Sequence, residues 1–133
     1  MILDTNTYTA LALANQGGVE LINTASVVQL PLPVVAELRY GFVKGSQSDR
    51  NEASLQRFLA QPQVTILTPN IKTTEHYATL QLLCKQRGRA LSNNDIWIAA
   101  MAYEANDSLV TLDKDFTVFA ELFGDKLIVV SVV

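Results

Sequence analysis

A chain of 133 residues with 49% apolar and 17% charged side chains has the size and composition of one globular domain, which excludes a disordered or disulfide-stapled protein. The formal net charge of −3 excludes a broadly basic surface, so any contact with RNA has to rest on local cations or on metal ions. One cysteine and one histidine exclude a structural zinc site of the usual kind.

Met1-Ile2-Leu3 reads as a minimal strand, and Asp4 stands at its end. Thr7 is placed to cap a helix over residues 8–15, with Gly17-Gly18 as its stop. Residues 24–30, centred on Val27-Val28, make a second strand. Pro31 and Pro33 bracket a turn, with Pro33 at the first position of a helix over 34–44. Val34, Val35, Leu38 and Phe42 share one side of that helix, and Glu37 lies on its flank. After a loop at 45–48, residues 51–61 form a helix with Leu55, Phe58 and Leu59 inward, broken by Pro62.

The third strand is 64–67, followed by a long helix over 71–87 with Tyr77, Leu80, Leu83 and Cys84 as its stripe and Gly88 as its stop. Ser92, Asn93 and Asn94 are all good caps, so the next helix begins among them and Asp95 falls in its first turn. Ile96, Ala99, Ala100 and Tyr103 form its apolar face, and Asn106-Asp107 ends it. Residues 108–112 read as a buried strand, with Asp113 just past it and Asp115 two residues on. Phe116, Phe119, Leu122 and Phe123 mark a short amphipathic helix, Gly124-Asp125 a turn, and 127–132 the last strand. With no leader pattern and no membrane-length apolar run, the chain reads as cytoplasmic.

Apolar strands alternating with helices predict an α/β fold: a single three-layer domain over 1–133, its mostly parallel sheet covered by helices on both faces. Right-handed crossovers then put the carboxyl ends of the parallel strands on one rim. Asp4 and Asp113 belong there, and Asp95 begins a helix near it. Spacing alone leaves open whether Glu37 reaches the same rim. Clustered carboxylates repel: two about 5 Å apart at an effective dielectric of about 20 cost about 3 kcal/mol. A divalent cation inverts that balance, and oxygen-only ligands suit magnesium or manganese. The chemistry that follows is metal-assisted hydrolysis of phosphate esters. His76, in mid-helix, is no candidate base, and no G-x-S-x-G elbow or phosphate-binding glycine loop is present.

ILDTN at the start, VAELRYG, NNDIWIAAMA and LVTLDKDF, in that order, resemble the PIN domain, and most closely its VapC-type toxin ribonucleases of bacterial toxin–antitoxin pairs. The resemblance implies a sheet of about five strands and a magnesium-dependent endoribonuclease in which manganese substitutes. It implies Asp4, Glu37 and Asp95 as the acidic core, with Asp4 and Asp95 on the metal. Either Asp113 or Asp115 fits the fourth, metal-binding acid; we assign Asp113, which is nearer the strand end, and keep Asp115 as support. Asn6 and Thr111 match polar positions that steady the cluster by hydrogen bonds. An RNA substrate, a VapB-type antitoxin and a homodimer are the implied partners. Arg39, Arg87, Arg89 and Lys114, with Lys44 and Lys85 beside them, are the candidates to hold RNA phosphates. The alternative is a PIN-like domain that no longer cuts and serves as a protein- or RNA-binding module.

Overall fold

The computed structural model describes residues 1–14 and 27–130. Ile2–Leu3 is β1 and Thr5–Ala14 is α1. Val28–Pro31 (β2) leads into Leu32–Lys44 (α2), then Ser48–Leu59 (α3) and Val64–Leu67 (β3). Two antiparallel helices follow, Ile71–Gln86 (α4) and Asn93–Ala105 (α5), before Leu109–Thr111 (β4). A 3-10 turn over Lys114–Phe119, the short α6 (Ala120–Phe123) and β5 (Leu127–Val129) complete the chain. The expected Gly17-Gly18 stop, the first residues of the expected second strand and Val132 at the end of the last lie outside the described residues.

The five strands form one sheet in the order β3-β2-β1-β4-β5, and every neighbouring pair is parallel. The expectation of a mostly parallel sheet is met in full. Right-handed crossovers put α1 to α3 on one face and α4 to α6 on the other. The strand order reverses between β1 and β4, and in such sheets the crevice beyond the strand carboxyl ends at that point is where ligands bind.

The two faces pack differently. On the first, Tyr8 of α1 meets Phe58 of α3 edge to face at 5.1 Å. Tyr8, Leu38 and Phe42, with Arg50 and Arg57, line a groove of about 550 Å³ between α1, α2 and α3. On the second, Phe119 and Phe123 continue an aromatic row to Tyr103 of α5. Helix α5 is buried almost all round: Ile96, Ile98, Ala99, Ala100, Met101 and Ala102 are each at most 1% exposed. Burying side chains of the size of Ile96, Ile98 and Met101 contributes about 1.5–3 kcal/mol each, which helps hold α5 against the sheet. Cys84 is a buried thiol, as expected, and burial pushes its pKa up.

Several boundaries differ from the sequence expectation. Helix α1 starts at Thr5, not Tyr8, because the cap is Asp4 and not Thr7: Asp4 Oδ1 accepts the Thr7 N–H at 3.0 Å and its carbonyl accepts the Tyr8 N–H. Helix α2 starts at Leu32, so Pro33 is its second residue. Helix α3 begins at Ser48 and ends at Leu59, two residues short of Gln61. Helix α4 opens on a capping box at Asn70, whose side chain accepts from Lys72 and Thr73 while the Thr73 hydroxyl accepts the Asn70 N–H. The amphipathic segment after β4 is mostly 3-10, opened by Asp113, which accepts the Asp115 N–H at 2.8 Å.

Candidate functional site

Asp4 is 4% exposed, at the carboxyl end of β1 and the amino end of α1. A carboxylate buried this far needs hydrogen bonds on both oxygens. Oδ1 accepts the Thr7 N–H at 3.0 Å and the Thr7 hydroxyl at 2.5 Å; Oδ2 accepts the Thr111 hydroxyl at 2.5 Å. Thr111 ends β4, the neighbouring strand, so the bond spans the point where the strand order reverses. Thr111 Oγ1 in turn accepts the Asp113 N–H at 2.9 Å, which fixes the chain as it leaves β4.

Glu37 sits one turn into α2, half-buried, and its Oε1 accepts the Thr5 hydroxyl at 3.0 Å. That bond ties the start of α1 to α2 and answers the question spacing left open: Glu37 reaches the rim. Asp95 stands in the first turn of α5, where Ser92 caps the helix and accepts the Asp95 N–H at 3.1 Å. Asn94 Nδ2 donates to Pro33 O at 3.5 Å, drawing the start of α5 to the start of α2.

Three of the acids act on Asp95. The Asp95 carboxyl is pushed above its ordinary range, first by burial and then by the charges of Glu37, Asp113 and Asp4; its bond to Ser92 offsets part of this. Asp115 is exposed and is not among the charges that raise Asp95. Among the described residues, no three Asp, Glu, His or Cys side chains stand close enough to hold a metal ion as they are. The donors are nonetheless oxygens only, and the like charge at Asp95 is what a cation relieves, so the chemistry of the set fits a hard divalent ion.

Asn6 does not take the role expected of it. With α1 beginning at Thr5, successive residues turn by about 100°, so Thr5 faces Glu37, Thr7 faces Asp4 and Asn6 faces solvent. Among the described residues Asn6 makes no hydrogen bond to the acids, and Thr5 and Thr7 hold them instead. Both were missed as acid partners; the signal was D-x-x-T, an aspartate cap with a donor at the third helical position.

The cations divide. Arg39 is spent on Glu52, with Nε and Nη2 each 3.0 Å from one carboxylate oxygen. Arg87 clamps the end of α4 to the 3-10 turn and α6, donating to Val118 O and to Glu121, both at 3.0 Å. Lys44 lies over the Tyr40 ring at 4.6 Å. Arg89 and Lys114 are exposed and make no ion pair among the described residues.

A family model described as the PIN domain matches residues 1–122. Ribonuclease VapC2 of Rickettsia felis is 33% identical over 92 residues, covering 69% of this chain and 67% of that protein. Ribonuclease VapC1 of Haemophilus influenzae is 34% identical over 83 residues, 60% of this chain and 62% of the relative, so the match falls short of two thirds of its length. In the crystal structure of VapBC2 from Rickettsia felis bound to a DNA fragment from their promoter, one chain superposes with a TM-score of 0.78 at 27% identity, over 98% of this chain and 96% of that one. The chain belongs to the PIN domain family, in the branch that holds the VapC proteins.

Proposed function

We propose that this protein is a divalent-cation-dependent endoribonuclease and the toxin of a VapBC-type pair. The observation that carries the reading is that Asp4, Glu37 and Asp113 lie near enough to Asp95, beside the reversal of strand order, for their charges to add to burial in raising its carboxyl. A protein without use for a cation gains nothing from carboxylates that repel in a half-buried place. The relatives named as ribonucleases support RNA as the substrate, and the neighbour solved as a VapBC complex supports a VapB-type antitoxin.

In this reading Asp4, Asp95 and Asp113 hold the cation. A bound magnesium or manganese ion would supply an activated water and charge stabilisation on the phosphoryl group. Glu37 has Oε1 engaged by Thr5, and its Oε2 would be left to accept a proton from a water at the site. Arg89 and Lys114, free of ion pairs among the described residues, take phosphates beside the cut. Asp115 supports through its N–H, which holds Asp113 Oδ1. The homodimer that the resemblance implies is checked by light scattering of the purified chain.

The test is cleavage of end-labelled total RNA by purified protein with magnesium, with manganese and with chelator. Discrete cuts that need metal and vanish in Asp4→Asn and Asp95→Asn support the proposal. Cuts that survive both substitutions, or no cutting together with no metal binding, refute it; the second result favours the binding-module alternative.

A further inference from the structure

Thr7 does more than its place in the helix requires. At the third position of α1, its backbone N–H alone completes the Asp4 cap. Its side chain is 3% exposed, so the hydroxyl needs an acceptor, and Val110 O lies 3.1 Å away and would suffice. A hydroxyl has one proton to give. The shorter contact, 2.5 Å, is to Asp4 Oδ1, which already accepts the Thr7 N–H.

The arrangement leaves one opening on Asp4. A carboxylate offers about four acceptor directions, two on each oxygen. On Oδ1 both are taken by Thr7; on Oδ2 one is taken by Thr111. The carboxylate cannot turn about its Cβ–Cγ bond without breaking its hydrogen bonds to the first turn of α1 and the end of β4. The remaining direction belongs to Oδ2.

We propose that Thr7 is a positioning residue that blocks Oδ1 of Asp4 and leaves Oδ2 alone to take a divalent cation. The inference rests on the reading of Asp4 as a metal ligand. Partners of metal ligands at this remove are typically worth about 10–100-fold in metal affinity. Thr7 therefore sets affinity and single-oxygen ligation by Asp4 without touching the ion.

The test is the affinity of the chelator-stripped full chain for Mn²⁺ alone, read from the paramagnetic resonance of free ion, with no RNA present. Thr7→Val keeps the β-branch and the backbone N–H but removes the hydroxyl; Thr7→Ala removes it without the branch and serves if the valine variant does not fold. Both are expected to weaken Mn²⁺ binding about 10-fold or more, while Thr7→Ser, which restores the donor, stays within about 3-fold of wild type. Melting of the metal-free variants is followed alongside. If Thr7→Val and Thr7→Ala melt lower yet bind Mn²⁺ as wild type does, while Asp95→Asn binds weakly, Thr7 is only structural and the inference is overturned. A Thr7→Ser as weak as Thr7→Val also overturns it, because the hydroxyl is then not the agent. If wild type binds no Mn²⁺, or Asp95→Asn binds it unchanged, the metal-site reading itself falls and the inference with it.

Discussion

Replacing Thr111 by valine isolates the bond that joins the two central strands at the site. Valine keeps the β-branch and nearly the volume, in a position that is 0% exposed. Two hydrogen bonds go: the one Thr111 donates to Asp4 Oδ2 and the one it accepts from the Asp113 N–H. A bond to a charged group is worth about 1.5–3 kcal/mol and a neutral one about 0.5–1.5, so the summed loss is about 2–4 kcal/mol. For a domain of this size each kcal/mol moves Tm by about 3–5 °C, which predicts a fall of about 6–20 °C. The assay is thermal melting in chelator, followed by far-ultraviolet circular dichroism, so that no cation masks the change. A fall of less than about 3 °C would refute the claim that Thr111 satisfies a buried carboxylate, because losing the bond to the charged group alone costs more than that.

Asp95→Asn is expected to raise the Tm of the metal-free protein and to abolish any further rise on adding manganese; unchanged melting would contradict the like-charge cluster. The sign follows from the raised pKa: ionised Asp95 costs nothing below its unfolded-state value and costs most above its folded-state value, so its contribution to stability falls as pH rises between them. Urea melts of wild type and Asp95→Asn across that acid range should diverge as pH rises. Asn70→Ala removes the cap of α4 and the bond to Glu104, and should cost about 1–2 kcal/mol in urea unfolding. Gly88 has φ +62 and open space around an added Cβ, so Gly88→Ala should cost about 1–2 kcal/mol from the backbone alone; no loss would mean the turn relaxes.

The order of strands and helices was legible because each element here carries a local signal: β-branched runs for the strands, caps and stops for the helices. Ser92, the cap of α5, and Gly88, past the end of α4, show how far such signals reach. The start of α1 was misread because Asp4 has two roles. Taken as the end of a strand, it hid that an aspartate is also a good cap, and the cap passed by default to Thr7. The supporting role given to Asn6 came from the resemblance; in the fold Asn6 is exposed, since one residue along a helix turns a side chain by about 100° from its neighbours Thr5 and Thr7. Glu37 and Arg87 were beyond local reading for another reason. Their partners, Thr5 and Val118, lie 32 and 31 residues away, and only the closed fold brings them together. Asp113 and Asp115, two residues apart in sequence, differ for the same reason: the Asp113 N–H donates to Thr111, and the Asp113 charge raises Asp95, an approach only the closed fold makes.

The most direct measurement is single-turnover cleavage of one defined RNA at saturating Mn²⁺ by wild type and by Asp4→Asn, Glu37→Gln, Asp95→Asn, Asp113→Asn and Asp115→Asn, each first shown to be folded. The account predicts that each of the first four variants loses about 100-fold or more in rate, as removal of a group that stabilises developing charge does, while Asp115→Asn stays within about 10-fold. Equal losses at Asp113 and Asp115, or full activity without any one of Asp4, Glu37 and Asp95, would contradict it.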